Sequence, residues 1–329
     1  MKKKHLKIMA RSIVSVGLLV WLAWLIDWHD LLGALTRIKM TWMLLALGWV
    51  ILSMVISVSK WKLILQAQEI TLRWSELWKA YWAGIFFNNF LPSSIGGDAL
   101  RIVWVGRLTG DMAGSTASVF VERVLATAGL SLTGLIASLF VVQVDQRVRY
   151  LFLLLIVISL ALLGLIMWGG IPRRFAQSQG RMIHFLRGIE QHGTRLRGQG
   201  RVILRVMILS VLFQCSVVGV NYAIFKALQI SGIGWMEALY VIPVTSIAAM
   251  LPIGINGYGV REGAYVGLLA NYHVPVAVAF TASILFAFLV SITSLYGAWT
   301  WLVHHPEGVT ADVNRPSRSA GPATFEERS

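Results

Sequence analysis

Two arginines, each nine residues beyond a Leu-Pro step, are the side chains best suited to chemistry in this sequence. One segment reads Trp74-Ser75-Glu76-Leu77, then Leu91-Pro92-Ser93-Ser94-Ile95-Gly96-Gly97-Asp98-Ala99-Leu100-Arg101. The other reads Trp235-Met236-Glu237-Ala238, then Leu251-Pro252-Ile253-Gly254-Ile255-Asn256-Gly257-Tyr258-Gly259-Val260-Arg261-Glu262. In both, glycine stands five positions after proline and arginine nine. Proline removes a backbone donor, and glycine enters turns that other residues reach only at a cost. A helix restarting near Gly97 or Gly257 has free N–H groups and a positive dipole end, which suits an anion such as a lipid phosphate. Arg101 and Arg261, a turn further on, suit bidentate contact with phosphate oxygens. The plainer alternative is a pair of tight hairpins whose arginines reach for the membrane interface.

Other polar residues fall beside these breaks. Asn88 and Asn89 precede Pro92 within an apolar stretch, where they either bond carbonyls freed by the break or line a polar cavity. Asp98 stands at a helix start, as a cap or a substrate contact. Asn256 has the corresponding place in the second segment, where a left-handed turn is its plainer role. Glu122 and Arg123 lie about two turns inside an apolar run and point roughly 100° apart, so they do not neutralise each other across one helix face. Glu122 pairs with Arg101 or Arg261 on this reading, either in a functional site or in a purely structural ion lock. Arg261-Glu262 repeats the adjacent-charge pattern.

The elements that must position these groups are membrane helices. Of the 329 residues, 57% are hydrophobic and 13% charged, about half the charged share of an ordinary soluble protein. Apolar spans are expected at Ser12–Ile26, Trp42–Val58, Ser115–Val142, Tyr150–Trp168, Val202–Leu228 and Pro275–Val303. The stretches Trp74–Leu91 and Trp235–Leu251 end at the two prolines and read as interrupted or re-entrant helices. The basic start followed by an apolar run resembles a signal peptide, but Asp27-Trp28-His29-Asp30 follows in place of a cleavage site, so a retained first span is expected.

The formal charge of +14 is clustered at Lys2, Lys3, Lys4, Lys7 and Arg11 and in the stretch from Arg173 to Arg205, whose eight arginines face one acid, Glu190. Such clusters between spans set topology and meet anionic headgroups, which argues against a nucleic-acid partner. The termini, Lys60, Lys62 and the Arg173–Arg205 loop are then expected in the cytoplasm, and Met182–Ile189 on its surface as an amphipathic stretch. The lone Cys215 excludes an internal disulfide. No Walker loop, Gly-x-Ser-x-Gly or His–Glu metal helix occurs, so no cofactor, metal site or catalytic set is expected.

Three spans separate the duplicated segments, so they enter from opposite faces. Paired broken helices in two inverted halves are the signature of a transporter-like site near the midplane. The expected architecture is an all-α polytopic membrane protein with two inverted repeats, each holding a Pro/Gly-broken or re-entrant helix pair. One transmembrane domain covers residues 1–304, with repeat units at about 74–107 and 235–270. A disordered cytoplasmic tail follows over 305–329.

Asn88-Asn89-x-x-Pro92, Gly97-Asp98-x-x-Arg101, Glu122-Arg123 and the Pro252-to-Glu262 run together resemble the lysylphosphatidylglycerol synthase transmembrane-region family of flippase-like proteins, over nearly the whole chain to about Val303. The resemblance implies movement of an anionic, modified or sugar-linked lipid between leaflets of a bacterial cytoplasmic membrane. Full-length synthases add a soluble aminoacyl-transferase domain; with none here, lipid aminoacylation by this chain is not expected. The substrate-binding set is Asn88, Asn89, Pro92, Gly97, Asp98, Arg101, Glu122, Arg123, Pro252, Asn256, Gly257, Arg261 and Glu262, with membrane lipids as partners. The rivals are a membrane-embedded transferase on a lipid-linked substrate, using Asp98, Glu122 or Glu262 as base, and a non-transporting partner of a lipid-modifying enzyme.

Overall fold

A computed structural model of the chain describes residues 38–90, 95–141, 144–169, 181–251 and 256–304, with scattered positions between 17 and 36. Every regular element among them is helical. We number the helices α1 (Met40–Ala67), α2 (Trp74–Phe90), α3 (Ile95–Thr109), α4 (Met112–Ser138), α5 (Gln146–Trp168), α6 (Arg181–Thr194), α7 (Gly200–Ala227), α8 (Trp235–Met250), α9 (Val260–Ala270) and α10 (Val276–His304). Of these, α1, α4, α5, α7 and α10 are long and apolar enough to cross a membrane. They overlap five of the six expected spans, with α1 running nine residues beyond the expected end at Val58. The first expected span, Pro92, Pro252 and the tail from 305 lie outside the described residues, in whole or in large part.

The spans pack through small residues, which allow close backbone approach where hydrocarbon supplies no hydrophobic drive between helices. Gly219 of α7 lies under the Trp49 ring of α1, Gly129 of α4 against Ser210 of α7, and Gly134 of α4 against Phe152 of α5. Gly297 of α10 meets the backbone of Trp82 in α2. Helix α4 is the most enclosed span, whereas α5 shows most of its surface.

The two interrupted segments form short helix pairs. At 17, 15, 16 and 11 residues, helices α2, α3, α8 and α9 are each about 25 Å long or less, short of a hydrocarbon core of about 30 Å. Gly84 of α2 lies beside Gly97 and Arg101 of α3, and Ala249 of α8 beside Gly257. These contacts fall evenly about each break, so the chain doubles back in both.

Bonds between loops sort the helix ends. At one end, Arg195 and Gln199 donate to the Gln68 and Ala67 carbonyls at the close of α1, at 2.9 and 3.0 Å. His192 of α6 meets Asp111 ahead of α4 at 2.8 Å, and Thr300 of α10 reaches the Lys79 carbonyl near the start of α2. This end carries Arg107, Arg187, Arg195, Arg197, Arg201 and Arg205. At the other end the Lys39 N–H donates to the Ala227 carbonyl, Arg149 donates to the Ser138 carbonyl, and Gly232 adjoins the Tyr272 backbone. The α2–α3 pair therefore opens at the arginine-rich end and α8–α9 at the opposite end.

Candidate functional site

Five ionisable side chains from α1, α3 and α4 meet inside the bundle, in the half toward its arginine-rich end. Glu122, 3% exposed, accepts from Arg101 Nη1 at 2.9 Å and from the Tyr81 hydroxyl at 3.1 Å. Lys60, 1% exposed, sits 3.6 Å from Glu122 Oε1, the oxygen that also accepts from Tyr81. Arg101 also donates from Nη2 to Asp98 at 2.9 Å, one turn back on the same face of α3. Arg123 then grips Asp98 from outside, with Nε at 2.8 Å and Nη2 at 2.9 Å. Asp98 is thus shared between two guanidinium groups, and Glu122 between an arginine, a lysine and a phenol.

The adjacent residues of α4 divide as their angular separation requires. Glu122 turns into the bundle, and the Arg123 side chain stays half exposed. Aromatic rings complete the inner wall. The Arg101 guanidinium lies 4.9 Å from the Trp61 ring centroid and 4.5 Å from that of Tyr81, at distances where a ring face attracts a cation. The Trp61 indole in turn donates to Ser118 at 3.0 Å, tying α1 to α4. Such a network holds charge at membrane depth because each charge has a partner; removing one would strand the others.

Asn88 has a definite role at the first break: its Oδ1 accepts the Gly97 N–H at 2.8 Å. This corrects the expectation of a free donor at Gly97, because a side chain of the preceding helix already satisfies it. Gly97 also has no room for a side chain, since a Cβ would collide with the Gly84 carbonyl and the Asn88 amide.

The second break is built differently. Asn256, Gly257 and Gly259 all have positive φ, a region that glycine enters without strain and asparagine more readily than most. The turn delivers the chain to α9, where Glu262 is completely buried and accepts the Gly259 N–H at 2.6 Å. Arg261 donates to the same carboxylate at 2.7 and 3.1 Å, and Ser283 of α10 adds a bond at 3.3 Å.

One side chain joins the two breaks. The Asn256 amide donates to the Asn88 carbonyl at 2.9 Å and the Asn89 carbonyl at 3.3 Å. Those are end-of-helix carbonyls of α2, which lack intrahelical partners. Of the expected set, Asn88, Asn89, Asn256 and Gly257 therefore lie where the hairpin tips meet. Asp98, Arg101, Glu122 and Arg123 form one ion cluster; Arg261 and Glu262 form another.

Lys60, Tyr81 and Ser283 belong to these clusters and were not anticipated. Lys60 is a correction: the span expected to stop at Val58 continues to Ala67, which places the lysine inside the bundle and not in the cytoplasm. The sequence held one signal for it, the apolar Leu63-Ile64-Leu65 that resumes after the lysines. Among the described residues, no three His, Cys, Asp or Glu side chains converge as metal ligands. The family model described as lysylphosphatidylglycerol synthase TM region matches residues 8–297. No curated protein matches the chain.

Proposed function

Because the chain belongs to the lysylphosphatidylglycerol synthase transmembrane-region family, we propose that it is a lipid transporter that carries an anionic or lipid-linked headgroup between leaflets while the acyl chains stay in the bilayer. The observation that carries this reading is the meeting of two broken, polar-tipped hairpins from opposite ends of the bundle, bonded through Asn256 and flanked by buried Arg–carboxylate clusters. Discontinuous helices paired in this way are how transporters place polar groups at the midplane. Ionisable residues at that depth mark pathways more often than scaffolding.

On this reading the hairpins are the cores of two inverted repeats. The arginine-rich end faces the cytoplasm, by the usual bias of Lys and Arg, in a bacterial inner membrane. Membrane lipids are the partners, and the protein acts as a carrier and not as an enzyme. All three candidate bases, Asp98, Glu122 and Glu262, are engaged by arginines, which suits charge balance better than proton abstraction.

The test is leaflet translocation in proteoliposomes, using fluorescent phosphatidylglycerol and a polyprenyl-phosphate analogue. Wild type is compared with Arg101→Lys, Asn256→Ala and Arg261→Lys, each confirmed as folded and monodisperse. Transport by wild type that falls at least ten-fold in the variants supports the proposal. Equal rates in all four proteins refute these residues as the site, and a new covalent lipid species formed by purified protein makes the chain a transferase.

A further inference from the structure

Arg123 is paired with Asp98 but, unlike the other members of its cluster, is not enclosed by the bundle. It lies two residues from the midpoint of α4 (Met112–Ser138), about 16 Å along the helix from its start, yet its side chain is 50% exposed. Phe120, one turn earlier on the same outward face, is 48% exposed. A guanidinium half open to plain hydrocarbon at mid-depth is strongly disfavoured, and arginines found there line water-filled cavities or pair with anions. The helix is also too far from either end for this side chain to stretch to the interface as a terminal arginine does.

Charge balance identifies what belongs there. Lys60, Arg101 and Arg123 stand against Asp98 and Glu122, which leaves one positive charge in excess when all five are ionised. The Arg261–Glu262 pair balances itself. Arg123 spends Nε and Nη2 on Asp98, leaving Nη1 for a ligand. We propose that the outer face of α4 at Arg123, beside Asp98 of α3, is a lateral opening from the lipid into the ion cluster, and that it takes a singly charged phosphodiester headgroup. A phosphodiester carries one negative charge and neutralises the cluster. A diphosphate carries more and overcompensates it. Asp98 is the internal counter-ion that such a headgroup exchanges with as it moves from Arg123 toward Arg101. That the bound headgroup is cargo rests on the transport reading; the opening and its choice of headgroup do not.

The single cysteine makes the test direct. In a Cys215→Ser background, Thr127→Cys places a thiol one turn from Arg123 on the same face, and Val157→Cys places one on the exposed middle of α5. Both full-length proteins are reconstituted in phosphatidylcholine vesicles, with and without a fifth of phosphatidylglycerol or of a diphosphate lipid. They are labelled with an uncharged, membrane-impermeant maleimide. The expected result is labelling at Thr127→Cys at least ten-fold faster than at Val157→Cys, slowed several-fold by phosphatidylglycerol and little changed by the diphosphate lipid. Equal rates at the two positions overturn the opening. Fast labelling that phosphatidylglycerol leaves unchanged, or that the diphosphate slows as much, overturns the headgroup assignment. None of these outcomes depends on transport, so an open, lipid-protected face in a protein that moves no lipid would end the carrier reading and leave this one standing.

Discussion

Replacing Glu122 by glutamine keeps the shape of the side chain and removes its charge. In the native cluster that carboxylate faces Arg101 at 2.9 Å and Lys60 at 3.6 Å and accepts the Tyr81 hydroxyl, with both cations at or below 3% exposure. Glu122→Gln therefore leaves two buried cations with only Asp98 for Arg101 and no carboxylate for Lys60. Removing one member of a buried pair costs about 3–5 kcal/mol, mostly from the charge left behind. The reasoning also predicts relief: Lys60→Met in the same chain removes one stranded cation and should recover about 1–3 kcal/mol, a coupling typical of residues in direct contact. Glu76→Gln is the control, because Glu76 and Lys79 form a more open i,i+3 pair at 3.1 Å for which about 1 kcal/mol or less is expected. The assay is reversible unfolding in mixed micelles of increasing SDS content, followed by tryptophan fluorescence. A Glu122→Gln protein no less stable than Glu76→Gln, or a double variant whose losses simply add, would refute the view that Glu122 anchors a buried ion network.

Three further outcomes follow from the geometry. Asn256→Ala removes the donor to the Asn88 and Asn89 carbonyls and should cost about 1–3 kcal/mol in the same titration; Asn256→Asp should cost more, because it sets a carboxylate against two carbonyl oxygens. Gly97→Ala drives a methyl into the Gly84 backbone and the Asn88 side chain, a change of the overpacking kind worth about 1–3 kcal/mol or more, whereas Gly48→Ala, with open space around it, should be neutral or mildly stabilising in a thermal melt. Tyr265→Phe leaves Asn221 Oδ1 without the phenol that donates to it in the core, and a loss of about 1–2 kcal/mol in unfolding free energy is expected.

Much of the scaffold is legible in the sequence. The spans announce themselves through unbroken apolar runs, and the two hairpins through proline followed by glycine at matched spacing. The failures share one cause. Lys60 looked like the cytoplasmic end of a span because a lysine normally closes an apolar run; what buries it is Glu122, which is 62 residues further along the chain and belongs to another helix. The Gly97 N–H looked available because local sequence cannot show that Asn88, nine residues earlier, folds back onto it. Asp98 could be recognised as a helix-start acid, but its division between Arg101 and Arg123 depends on how α3 lies against α4. Residue type reveals that a charge needs a partner, whereas only packing chooses the partner.

The bond between the hairpin tips has a consequence for how the chain is made. Asn256 is 168 residues downstream of the Asn88 carbonyl it satisfies. At synthesis rates of about 5–20 residues per second, that is a delay of roughly 8–34 s. Arg101 waits only about 1–4 s for Glu122, which follows it by 21 residues. During the longer interval the Asn88 and Asn89 carbonyls at the end of α2 lack the Asn256 amide that bonds them in the folded chain, and helix-end carbonyls are not tolerated bare in hydrocarbon. The first hairpin must therefore remain near water, or under the insertion machinery, until α8 and α9 emerge. Its final depth is a late event in biogenesis, reached only when the second half of the chain arrives to cap the first.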